Sequence, residues 1–147
     1  MPGVETFFDF EEAVAAAKQM KRPIMIDFTG HSCANCRKME AEVLSKPEVS
    51  DMLHKDFIVA SLYVDEKREL PENEKYTSKF DNSKIKNVGA KNLDFEATIA
   101  NSNAQPLYIF TDQDGNVIKN SGGYEPNIER FIKILNEVKA ENKKRFP

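Results

Sequence analysis

Apolar positions along the chain recur with two periods, and their alternation predicts the elements. From Asp9 to Met20, Phe10, Val14 and Ala17 return at helical spacing, with Ala13, Ala15 and Ala16 as strong helix formers. Asp9 can cap this helix, Glu11 and Glu12 suit its first turn, and Lys18, Lys21, Arg22 and Pro23 mark its end. Ile24-Met25-Ile26-Asp27-Phe28 is apolar on both faces except for one carboxylate, the pattern of a central parallel strand covered on both sides. Cys33 to Leu44 reads as a helix with Met39, Val43 and Leu44 inward, broken at or just before Pro47. Phe57 to Val64 predicts the next strand, ending at Asp65.

Residues 66 to 92 hold no clear period and exceed an ordinary loop, so short elements or a local role are expected there. Leu93 to Ala100 predicts a helix capped by Asn92. Leu107 to Thr111 is a strand, Asp112 to Asn116 a turn, and Val117 to Lys119 an antiparallel return. Glu125 to about Lys139 carries an amphipathic stripe of Ile128, Phe131, Ile132, Leu135 and Val138; the tail from Glu141 to Pro147 is expected to fray. The order is that of an α/β domain with a central mixed sheet flanked by helices. One domain is expected over 1–147, with a core of about 7–140 and an insertion at about 66–92.

Composition narrows the function classes. At 147 residues the chain can bury one sizeable core without staples. With 40% hydrophobic and 31% charged residues it is neither disordered nor a polyelectrolyte. A formal charge of -3 removes most of the case for nucleic-acid binding. No run approaches the roughly 18 apolar residues of a membrane span, and the first residues carry acids where a secretory signal needs positive charge. Direct membrane insertion and a signal peptide are therefore not expected.

The two cysteines are the chemical question. Cys33 and Cys36 follow a buried strand through the loop Thr29-Gly30-His31-Ser32 and open a helix. Two intervening residues, Ala34 and Asn35, let both thiols occupy the first turn and close a disulfide. Free N–H groups and the dipole at a helix start favour thiolate over thiol, so Cys33 is the expected nucleophile. Cys36, deeper in the turn, is the expected resolving thiol. A zinc site has too few partners, since only His31 and His54 accompany the cysteines. Some metal on Cys33, Cys36 and His31 is a weaker alternative; no metal or cofactor beyond the redox-active cysteine pair is expected.

Asp27, six residues before Cys33, carries a desolvation penalty inside its strand. It is expected to reach beneath the cysteine helix and take a proton from Cys36, directly or through water; the alternative is a locally bonded strand-end acid. Pro106 precedes a strong strand and tolerates its missing N–H there. Although most X-Pro bonds are trans, a cis bond is expected here, with Gln105 offering its backbone to a substrate peptide beside the dithiol. His31 and Ser32 precede the nucleophile; His31 either tunes the thiolate and shuttles protons or only caps local backbone.

These residues resemble the thioredoxin superfamily. Asp27 matches its buried acid, Cys33 its nucleophile, Cys36 its resolving thiol and Pro106 its cis-proline, with the insertion preceding the proline as the main departure. Ser32 stands where the family has Trp, and Ala34-Asn35 where it has Gly-Pro, which leaves redox potential and partner preference open. More narrowly, Asp27 to Glu40, Leu62 to Lys67, Leu70-Pro71 and Asn103 to Pro106 resemble the C-terminal thioredoxin-like domain of Bacteroidetes DsbD-type thiol:disulfide interchange proteins. The resemblance implies a periplasmic or envelope protein-disulfide reductase. Its implied partners are a membrane-embedded thiol electron donor and disulfide-bearing protein acceptors. A noncatalytic interaction domain on the same fold, and a disulfide oxidase or isomerase, are the competing functions.

Overall fold

The computed structural model describes residues 5–147; the first four residues of the expected domain lie outside this range. The chain runs β1 (Thr6–Phe7), α1 (Phe10–Met20), β2 (Ile24–Thr29), α2 (Ala34–Met39), a π-helical turn (Glu40–Leu44), α3 (Pro47–Asp56) and β3 (Ile58–Tyr63). It continues through a 3-10 turn (Glu72–Glu74), the small hairpin β4 (Tyr76–Thr77) and β5 (Lys84–Ile85), α4 (Val88–Ala100), β6 (Leu107–Thr111), β7 (Val117–Gly122) and α5 (Ile128–Arg145). The main sheet has the order β1-β3-β2-β6-β7. Strand β2 pairs in parallel with β3 and antiparallel with β6, so the sheet is mixed around its most buried strand.

Alternation along β2 divides the interior into two layers. Ile24, Ile26 and Phe28 pack with Ala13 and Ala17 of α1 and with Phe95 and Ile99 of α4. Met25 faces the other layer, with Met39 of α2, Leu53 of α3 and Phe131, Leu135 and Val138 of α5. Asp27 shares the Met25 face, the side on which the cysteine helix lies. Burying a Phe or Leu is worth about 1.5–3 kcal/mol each, so both faces hold β2 and fix the loop that follows it.

Several expectations change. Strand β2 is parallel on one side only, because the proline-led strand β6 enters from the opposite direction. The helix after the cysteines is α-helical only to Met39 and then widens into the π turn. Pro47 does not simply end it; it opens α3, whose fixed φ suits the first helical turn. Helix α4 starts at Val88 under an Asn87 cap, Asn87 Oδ1 accepting from Ala90 N at 2.8 Å, and not at Leu93 under Asn92. Asn92 is instead buried and donates to Tyr63 O at 2.9 Å. The tail does not fray: α5 continues to Arg145, which pairs with buried Asp112 at 3.1 Å and with Glu141 at 2.8 Å.

Candidate active site

Strands β2 and β3 run in register, Thr29 opposite Tyr63, so both chains leave the sheet at the same level. The loop after β2 is gathered by the first residues after β3. Asp65 accepts the His31 N–H at 2.8 and 3.0 Å and the Ser32 N–H at 3.4 Å. Burial would raise its carboxyl, but these amide donors outweigh it and hold the group below the ordinary carboxylate value. Arg37 ties the same loop from the helix side, donating to Thr29 Oγ1 at 3.1 Å and Gly30 O at 3.2 Å while pairing with Glu40 at 2.9 Å. Its guanidinium is thus committed to the loop and to Glu40.

Cys33 is the N-cap of α2, its sulfur accepting the Cys36 N–H at 3.2 Å, and the two cysteines form a disulfide with Cα atoms 5.2 Å apart. Cys33 is partly exposed whereas Cys36 is buried. An incoming sulfur therefore meets Cys33 first, and the Cys36 N–H stands ready to stabilise a Cys33 thiolate. Ala34 and Asn35 are exposed on the helix tip.

Beneath them Asp27 is 3% exposed, and its Oδ1 has no hydrogen-bond partner among the described residues. Burial raises the carboxyl from its ordinary 3.8 to about 7, with Glu40 adding to the rise and Arg37 opposing it. A group half-ionised near neutrality and facing the cysteine-helix layer has the properties a proton acceptor needs.

Gln105-Pro106 is cis, as expected. One register step beyond the Phe28–Leu107 pair, Pro106 lies across from Thr29, at the start of the cysteine loop. Pro106 is buried and Gln105 partly exposed. On the opposite flank the His31 ring stacks on Tyr63, centroids 4.2 Å apart, with Nε2 3.6 Å from Glu66 Oε1. His31 makes no hydrogen bond to either cysteine among the described residues, and its backbone is capped by Asp65 instead of capping its neighbours. Among those residues no three His, Cys, Asp or Glu side chains gather as a metal site.

The residues Asp27, Cys33, Cys36 and Pro106 thus converge on one sheet end, and a family model for the thioredoxin-like domain matches residues 10–139. The chain belongs to the thioredoxin-like domain family. A thioredoxin from Thermus thermophilus is 25% identical, covering 93% of this chain and 88% of its own, with a TM-score of 0.65. A DsbH oxidoreductase is 20% identical over 95% of this chain and 90% of its own, at a TM-score of 0.62. The oxidised C-terminal domain of Neisseria meningitidis DsbD is 19% identical over 90% of this chain and 98% of its own, at 0.54. The last two demonstrate shared fold. No curated protein sequence matches the chain. A thioredoxin-like fold with a disulfide-bonded cysteine pair at this spacing is consistent with thiol–disulfide oxidoreductase chemistry.

Sequence reasoning passed over Asp65 and Arg37 as loop organisers. A signal for Asp65 existed: an acid two residues past the strand that neighbours the cysteine strand stands level with the amides of the cysteine loop.

Proposed function

We propose that this thioredoxin-like domain is a protein-disulfide reductase, relaying electrons from a membrane-embedded thiol donor to disulfide-bearing proteins of the periplasm or cell envelope. The observation that carries the reading is the asymmetric pair: a partly exposed, helix-capping Cys33 bonded to a buried Cys36 above an unpartnered buried acid. The sequence resemblance to DsbD-type C-terminal domains supports the donor and the compartment. No described helix is long and apolar enough to cross a membrane, so the donor's membrane segment would belong to another domain or protein.

In the reduced protein the Cys33 thiolate attacks one sulfur of a substrate disulfide, forming a mixed disulfide and expelling the first substrate thiolate. Cys36 gives its proton to Asp27 and attacks the Cys33 sulfur. The second substrate thiolate leaves and takes up a proton, and the Cys33–Cys36 disulfide remains. Two electrons have passed to the substrate, and a donor dithiol restores the pair by the reverse exchange. Pro106 and the backbone of Gln105 flank the reacting sulfur, while His31, Ser32, Ala34 and Asn35 shape what approaches it.

A redox titration, followed by trapping with single-cysteine variants, tests the reading. A potential near that of thioredoxin, about −270 mV, supports reduction, whereas one near the strongly oxidising catalysts, about −120 mV, would make the protein an oxidase. Absence of turnover with any dithiol donor would leave a noncatalytic interaction domain.

A further inference from the structure

Helix α4 lies in the chain segment between β3 and β6, and one of its faces reaches both the end of β3 and the loop ahead of Pro106. At its start Gly89 lies so close to β3's exit that an added Cβ would stand 2.7 Å from Val64 O and from the Glu66 backbone. One turn on, Asn92 donates to Tyr63 O, closing the end of β3. A further turn along the same face is Glu96.

Glu96 is wholly buried, and its two oxygens differ. Oε1 accepts from Gln105 Nε2 at 2.9 Å; Oε2 has no partner among the described residues. Gln105 Nε2 also donates to Asn103 O at 2.9 Å, so the side chain is held from two directions. A buried carboxylate with an orphaned oxygen is an expensive way to fill space. Its one hydrogen bond goes to the residue directly ahead of Pro106. Gln105 itself makes no backbone hydrogen bond among the described residues, and it directly precedes Pro106, which lies across from Thr29 at the start of the cysteine loop. The loop therefore presents a backbone N–H and C=O without partners among the described residues, located by a side-chain tether.

We propose that Glu96 is a positioning residue for disulfide exchange: by holding the Gln105 side chain it fixes the backbone ahead of Pro106 for pairing with an extended segment of a protein substrate. The assignment rests on the reductase reading. It predicts that Glu96 matters for polypeptides that offer main-chain hydrogen bonds next to their disulfide and not for small disulfides that need only the sulfur chemistry.

The test compares two probes with the reduced full chain: insulin, whose disulfides lie in polypeptide, and bis(2-hydroxyethyl) disulfide, which has no backbone to pair. Glu96→Leu is expected to raise KM for insulin about five- to tenfold with kcat within about twofold, and to leave the rate on the small disulfide unchanged. Glu96→Gln keeps an acceptor oxygen and should restore KM to within about twofold. Gln105→Ala, on the partly exposed loop, removes the same bond without touching the core and carries the test if Glu96→Leu does not fold. The double variant should be no worse than either single change. An unchanged KM in Gln105→Ala, equal losses on both probes, or additive losses in the double variant would overturn the assignment. A wild-type protein inactive on both disulfides would remove the reductase reading and this inference with it, whereas an active wild type with an indifferent Gln105→Ala removes this inference alone.

Discussion

Two aspartates flank the cysteine loop, and their surroundings drive them in opposite directions. Asp27 lies two residues inside the end of β2, buried, with one oxygen unpartnered and its carboxyl pushed up to about 7 by burial. Asp65 lies two residues beyond the end of β3, exposed, with the amides of His31 and Ser32 holding its carboxyl below the ordinary range. Because the strands end in register, four residues of displacement separate a buried floor with a raised carboxyl from an exposed rim that holds the loop by its amides. The cysteines divide the same way, Cys36 to the floor and Cys33 to the rim.

The sharpest break between floor and rim is at the sulfurs. Cys33→Ser should lower disulfide exchange by at least about a thousandfold, a general nucleophile-loss scale. Cys36→Ser should still attack but accumulate a mixed disulfide on Cys33. Mass spectrometry of trapped adducts reads the difference, and adducts forming on Cys36 in Cys33→Ser would reverse the assignment.

Asp27→Asn should slow breakdown of the mixed disulfide by about a hundredfold while initial attack changes by no more than about threefold, since general-base contributions run to about 10²–10⁴. Only the ionised acid accepts a proton, so wild-type breakdown should show an inflection as pH rises through about 7, and the Asn variant should lose that inflection and follow only the ionisation of the Cys36 thiol. Stopped-flow traces across pH decide it. An unchanged breakdown rate in a folded variant would leave Asp27 a structural polar residue.

The same carboxyl sets a stability trend of known sign. Its folded value lies above its ordinary 3.8, so between pH 4 and 7 the native state keeps a proton that the unfolded chain has lost, and stability falls as pH rises. The shift from 3.8 to about 7 corresponds to on the order of 4 kcal/mol, reached once pH exceeds the folded value. Urea unfolding of the oxidised protein should show the decline, and Asp27→Asn should flatten it. Glu96, raised from 4.5 to about 7 by burial against the opposing Gln105 bond, contributes in the same direction and keeps the variant's slope from vanishing.

Asp65→Asn tests the rim and should have the smallest effect. An amide oxygen still accepts one or two of the loop N–H groups, so a loss of about 1 kcal/mol and a rate change of about two- to threefold are expected. The wild-type contribution has the opposite sign to that of Asp27: it is present above pH 4 and lost as pH falls through the depressed folded value. A defect in Asp65→Asn as selective for mixed-disulfide breakdown as that of Asp27→Asn would erase the distinction between floor and rim.

The elements that carry the chemistry were legible because local signals agreed there. Asp9 caps α1 and accepts from Glu12 N at 3.0 Å, the β2 run is buried throughout, and Cys33 stands at a helix start. Helix α3 was not visible, because His54, Lys55 and Asp56 dilute its pattern and only Val49 and Leu53 are buried. The start of α4 was masked by Gly89, a residue that reads as a helix breaker in sequence. Here it is required, since no Cβ fits against the backbone of Val64 and Glu66.

The sequence alone determined which groups can react and which strand leads to them: two thiols one turn apart, an acid in an apolar run, a proline ahead of a strand. Those properties are covalent or local, and neighbours along the chain suffice to state them. Tertiary structure decided which polar groups meet. Asp65 reaches the His31 amide across 34 residues because β2 and β3 pair in register, and Arg145 finds Asp112 across 33 because α5 crosses the sheet's far end. Glu96 reaches Gln105 because a helix and a loop turn back on each other. Such contacts depend on packing between distant segments, and a polar side chain's sequence neighbours carry no record of the partner that burial will supply.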